Sequence, residues 1–170
     1  MDLNDPNLEE TPRRATDAFL YATRGYDKLA TDEIERRFKT KFPTTYTGMV
    51  VQKGSQFEVY SICPHHLKDI KYTVKFGIIY SQEALGLSMI YRIIKLLAAR
   101  AIMQEDLTSD IVKTFEANLH PKGMAVVLEG HHGCMNCRGI ERDIPTITAL
   151  LTGPFMDDPK TREEFFHHIN

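Results

Sequence analysis

The chain has 170 residues, 42% of them hydrophobic and 26% charged, with 21 basic against 23 acidic side chains and a net charge of −2. Those values describe one ordinary globular domain, and no run of Lys or Arg is present to track a nucleic-acid backbone. The apolar stretches fall short of the ~20 residues that span a bilayer, and the opening "MDLNDPNLEETPRR" is acidic where a signal peptide is basic and then apolar.

The first predicted element is a helix in "TPRRATDAFLYATRGY", with Thr11 as N-cap and Pro12 at the first helical position. Ala15, Ala18, Phe19 and Ala22 follow helical spacing, and Gly25 stops it. A short second helix is expected from about Thr31. "QFEVY" and "KYTVKFGIIY" alternate as strands with one buried face, the second through Tyr72, Val74, Phe76, Ile78 and Tyr80. Helical period then returns twice, first through Leu87, Ile90, Ile94 and Leu97, then through Leu107, Ile111, Phe115 and Leu119 up to Pro121 and Gly123. "MAVVLEG" and "TITALL" are strand-like, and a last helix is expected from Asp158-Pro159. The order predicts an α+β domain with an antiparallel sheet, a helical segment over 1–47 preceding the main body over 48–170.

Chemistry concentrates in two stretches. "SICPHHLKDI" carries Cys63, His65 and His66, and "EGHHGCMNCRGI" carries His131, His132, Cys134 and Cys137. Three cysteines cannot all pair internally, so reduced thiols in a cytoplasmic protein, used for metal, are the expectation. Two readings are open. Cys63, His66, Cys134 and Cys137 could close a four-ligand structural zinc site, if the chain turns into a knuckle at "CMNC". Alternatively, if the extended "MAVVLE" geometry continues, His132 and Cys134 share one face and Cys137 points away. Cys63, His66 and Cys134 would then be the ligands, with one coordination position open and His65 and His132 free for proton transfer. By itself, "MQED" reads as a solvated helix start.

These segments resemble the GTP cyclohydrolase I family. "SICPHHL" is similar to its S-M-C-E-H-H-L segment and "HHGCMNCRG" to its H-x-C-x-x-x-R-G segment. "TPRR", "GLSMIYRI" for G-L-S-K-x-x-R-I, "MQEDLT" for V-Q-E-R-L-T, and the tail "TREEFFHHIN" fall in the family's order. The resemblance implies Zn2+ held by Cys63, His66 and Cys134, and hydrolytic opening of the guanine imidazole ring of GTP. Formate would leave and 7,8-dihydroneopterin triphosphate would form. His132 would be the proton donor to the purine nitrogen and His65 a second proton-transfer group. Gln104 and Glu105 would recognise guanine, and Ser88, Arg92 and Arg138 the triphosphate. The implied fold is the tunnelling fold, an antiparallel sheet backed by two antiparallel helices, assembled as a homodecamer of two stacked pentamers with sites between subunits.

Two positions depart from the family pattern. Met89 replaces the lysine after Ser88, which removes one cation from the triphosphate end, and Pro64 replaces a glutamate. Arg13, Arg14, Lys95 or a basic side chain of a neighbouring subunit are the candidate substitutes for that cation. Cys137 falls at a non-ligand position, and His120, His131, His167 and His168 read as surface or packing residues. Neither a nucleic acid nor a membrane is implied as a partner.

Overall fold

The computed structural model describes residues 5–170. Residues 1–4 of the expected helical segment lie outside the described residues. Helix α1 spans Thr11–Ala22 and α2 spans Lys28–Phe38. Thr11 proves to be the first helical residue and not the cap. Glu10 occupies the cap position, already in a helical conformation and without a side-chain capping bond. The second helix starts three residues before Thr31, because Asp27 is the last extended residue. The apolar stripe of α1 does not enter the core: no residue of that helix is buried, and Leu20 and Tyr21 face outward. Helix α2 is different. Its Phe38 packs edge-on against Phe115, with ring centroids 5.3 Å apart.

A five-stranded antiparallel sheet forms the centre. Its strands are β2 (Met49–Gln52), β3 (Glu58–Ile62), β4 (Asp69–Ile79), β6 (Gly123–His132) and β7 (Thr146–Leu151). The order is β2-β4-β6-β7, and β3 pairs with the first half of β4. Short strands β1 (Phe42–Pro43) and β5 (Glu83–Ala84) form a separate pair. Every strand pairing is antiparallel, as the sequence pattern predicts.

The alternation in β4 is realised: Tyr72, Val74, Phe76 and Ile78 are fully enclosed. With Met124, Val126 and Leu128 of β6, they meet α3 (Leu87–Ala98) and α4 (Gln104–Leu119). The apolar stripe of α3 begins one turn later than expected. Leu87 is exposed, and Ile90, Ile93, Ile94 and Leu97 make the contact. The opposite face of β6, Ala125 and Val127, is covered by Phe155 of α6 (Pro154–Asp157) and by Phe165 and Ile169 of α7 (Pro159–Ile169). Asp158 caps α7 by accepting from the backbone N–H groups of Lys160 and Thr161. Gly77 makes that second layer possible, since a Cβ there would come within 2.8 Å of the Phe165 ring. Among the described residues, no helix is long and apolar enough to cross a membrane.

Candidate metal centre

Strand β3 ends at Ile62 and delivers Cys63 into a tight turn. The Cys63 N–H donates to the Lys68 carbonyl at 2.8 Å, and the Leu67 N–H donates to the Cys63 carbonyl at 2.9 Å. Leu67 takes a left-handed conformation, φ 51°, to close it. Pro64 sits within this turn, whose folding places the His66 Nδ1 3.5 Å from the Cys63 Sγ. The turn is held from behind by the α3–α4 connection. There Ile62 N–H donates to the Arg100 carbonyl at 3.0 Å and Ile102 N–H to the Ile62 carbonyl at 3.1 Å.

Cys134 arrives from the other side of β4. The antiparallel register sets Ile70 opposite His132, so the end of β6 lies beside the start of β4. Extended geometry does not continue past His132. The chain turns at once into α5 (Gly133–Asn136), and Gly133 permits this because a Cβ there would lie 2.7 Å from the Asp69 carbonyl oxygen. The strand periodicity that paired His132 with Cys134 therefore does not hold, and the knuckle at "CMNC" forms. Yet Cys137 still stays out. Its thiol is exposed and donates to the Gly133 carbonyl at 2.8 Å, while one donor atom each from Cys63, His66 and Cys134 lie within 4.8 Å of one another. Cys63 is buried, Cys134 half-buried and His66 exposed. Burial and the adjacent Cys63 sulfur push the Cys134 thiol up, with the Arg138 charge opposing. Two thiols and an imidazole converging in this way are the donor set that zinc prefers, and a bound dication would stabilise the Cys134 thiolate that burial disfavours.

The group lies in a cleft of about 180 Å³ that also contains His65, His132, Gln104 and Glu105. Burial holds His132 below the ordinary histidine range, with the Glu105 carboxylate acting in the opposite sense. Gln104 is far from solvated: it is 2% exposed, and its Oε1 lies 2.8 Å from the His132 Nε2. A solvated reading of "MQED" therefore fails at Gln104, because α4 begins packed against β6 and β7.

The expected triphosphate residues are placed differently. Ser88, Arg92 and Arg138 are exposed, and none of them lines that cleft within the chain. Of the candidate substitutes for the missing lysine, Arg13 is engaged by Glu10 and Asp17. The sequence reading overlooked Arg37, whose guanidinium reaches the Met89 sulfur at 3.5 Å, is paired with Glu33 and is nearly enclosed. Nothing in the spacing of α2 advertised this, since Arg37 and Met89 are 52 positions apart. A roomier cavity of about 390 Å³ lies between α1, β3 and α3, but it holds none of the Cys-His group.

The sequence profile of GTP cyclohydrolase I matches residues 1–170. GTP cyclohydrolase 1 of Drosophila melanogaster is 39% identical over 164 residues, covering 96% of this chain and 49% of that protein. The Campylobacter concisus protein of the same name is 37% identical over 170 residues, covering 98% of this chain and 87% of its own length. That of Homo sapiens is 35% identical over 159 residues, covering 93% and 62%. The chain thus spans about half of the fly protein and most of the bacterial one. With a profile matched from end to end and a Cys-His-Cys group formed by the motifs that carry the likeness, the chain belongs to the GTP cyclohydrolase I family.

Proposed function

We infer that this chain is a GTP cyclohydrolase I, opening the imidazole ring of the guanine of GTP hydrolytically. Formate is released and 7,8-dihydroneopterin triphosphate formed. The observation that carries this reading is the convergence of Cys63, His66 and Cys134 in the same cleft as His65, His132 and Glu105. Three protein ligands leave a fourth position for water, which is the layout of a catalytic site and not of a closed structural one. When bound, zinc supplies the acidity that makes water nucleophilic near neutral pH.

The chain's own residues do the rest. His132 takes the proton shed by the attacking water and gives it to the purine nitrogen as that nitrogen's bond to carbon 8 breaks, so the nitrogen departs neutral. His65, exposed at the mouth of the cleft, takes and returns protons with solvent. The Glu105 carboxylate accepts from the ring N–H and the exocyclic amine of guanine. Ser88, Arg92 and Arg138 bind the triphosphate. Their exposure away from their own chain's cleft supports sites shared between subunits, in a tunnelling fold assembled as a decamer of stacked pentamers. In this reading residues 48–170 form the body of that fold, and the helices described before residue 48 extend it. Two thiols in one metal group support a reducing, cytoplasmic setting.

The test is incubation of zinc-loaded protein with GTP, with formate assayed and the product identified by mass. Absence of both products overturns the reading. Light scattering of the same preparation tests the decamer.

A further inference from the structure

Resting on that functional reading, we propose that Gln104 is a positioning residue for His132. It holds the imidazole with its resting proton on Nε2, leaving Nδ1 free to take the proton shed by the attacking water and pass it to the purine nitrogen. Gln104 is then not a ligand of the guanine base.

The argument is a closed accounting of hydrogen-bond donors and acceptors. The Gln104 Nε2 faces the Leu128 carbonyl at 3.1 Å, the Thr146 carbonyl at 2.9 Å and the Thr148 hydroxyl at 3.2 Å. Backbone carbonyls only accept, so the amide nitrogen must be the atom on that side, which fixes the side-chain amide's orientation. The Thr108 hydroxyl donates to the Gln104 backbone carbonyl at 2.8 Å and lies 2.7 Å from the Thr148 hydroxyl. Thr108 has no second hydrogen, so Thr148 donates to Thr108 and accepts from Gln104. The two Gln104 amide hydrogens are shared among these three acceptors, so neither is left free.

Oε1 is consequently the atom directed at the His132 Nε2, 2.8 Å away. An amide oxygen cannot donate, so the hydrogen between them belongs to His132. The Tyr72 ring flanks the same imidazole edge-on at 6.4 Å. The strand itself is shaped for this contact. Gly130 on β6 faces Gln104, and a Cβ there would come within 2.5 Å of Oε1 and 2.9 Å of the Tyr72 ring. A buried amide with no free donor has little to offer a guanine, and Glu105, the next residue, remains in the cleft for that task.

Three variants test this on the zinc-loaded protein, with GTP as substrate. Gln104→Ala should lower kcat about ten- to a hundredfold, the scale of a misplaced proton-transfer group, with KM for GTP unchanged and zinc retained. Thr148→Val, which removes one anchor of the amide outside the cleft, should lower kcat by a smaller factor, and Thr148→Ser, which keeps the hydroxyl, should restore it. Nitrogen-15 spectra of histidine-labelled wild type should show His132 as the Nε2–H tautomer, and Gln104→Ala should show a mixture. A raised KM with kcat intact in Gln104→Ala would restore the base-recognition role and overturn the proposal. So would an Nδ1–H tautomer in the wild type. If Gln104→Ala does not fold, the Thr148 pair and the wild-type spectrum still decide. If the wild type releases no formate from GTP, the functional reading fails, while the spectrum separately judges the His132–Gln104 contact.

Discussion

The two ends of the reaction centre are built in opposite ways. At the metal end, Cys63, Cys134 and His132 come from one chain and are each tied down from behind, while His65 and His66 stay exposed. Cys63 sits in a turn closed by two backbone bonds, Cys134 in a helical knuckle seated on β4, and His132 against the buried amide of Gln104. At the start of α3, the proposed phosphate end, Ser88 and Arg92 stand exposed, and the nearly enclosed Arg37 nearby is engaged by Glu33. Chemistry needs reacting atoms fixed to a fraction of an ångström before substrate arrives, because small misplacements cost large factors in rate. Anion binding tolerates flexible cations and can be completed by a neighbouring subunit. The fold therefore preassembles the first and leaves the second open.

The largest expected effect tests the preassembled end. Cys63→Ser and Cys134→Ser should each abolish formate release and strip the metal, read by elemental analysis, because each removes one of three ligands. Retention of stoichiometric zinc would mean that another group completes the site. Next comes His132→Ala, with zinc retained and kcat lowered ~10²–10⁴-fold, the usual worth of a positioned acid. Loss of metal in that variant would show that ligand and acid were exchanged in this assignment.

The open end should respond more gently. Met89→Lys adds a cation beside the Arg37 guanidinium, and the two repel. GTP affinity should therefore rise by no more than about tenfold, less than the 1.5–3 kcal/mol a charge-assisted bond otherwise contributes. GMP affinity should not change. Titration calorimetry with both nucleotides checks this, and a hundredfold gain would show that Arg37 exerts no influence there. The smallest effect sharpens the boundary of the metal end. Cys137→Ala removes one exposed bond to the Gly133 carbonyl and should leave metal content unchanged. Zinc loss there would revive the four-ligand site.

Much of this was legible in the chain. Period-2 alternation in "KYTVKFGIIY" and helical spacing from Leu107 to Leu119 are local consequences of one-sided burial, so they located β4 and α4 directly. The Cys and His spacing named the three residues that meet. The reason drawn from it for Cys134 was wrong, because a strand argument cannot foresee a chain turning at Gly133 against the Asp69 carbonyl. The same limit hid the outward face of α1: an apolar stripe records what a helix could bury, not whether a neighbour is there to cover it.

What the sequence by itself determined is the class of fold, the family and the donor types at the metal end, because these are written in residue identity and short spacing. Tertiary structure decided which partners those residues have. Gln104 became the neighbour of His132, Leu128 and Thr148, and Arg37 the neighbour of Met89, only when α4 docked on the face of the sheet and α2 on α3. Hydrogen bonds and buried charges act over a few ångströms of space whatever the distance along the chain, so such pairings follow from packing and leave no local mark in the sequence.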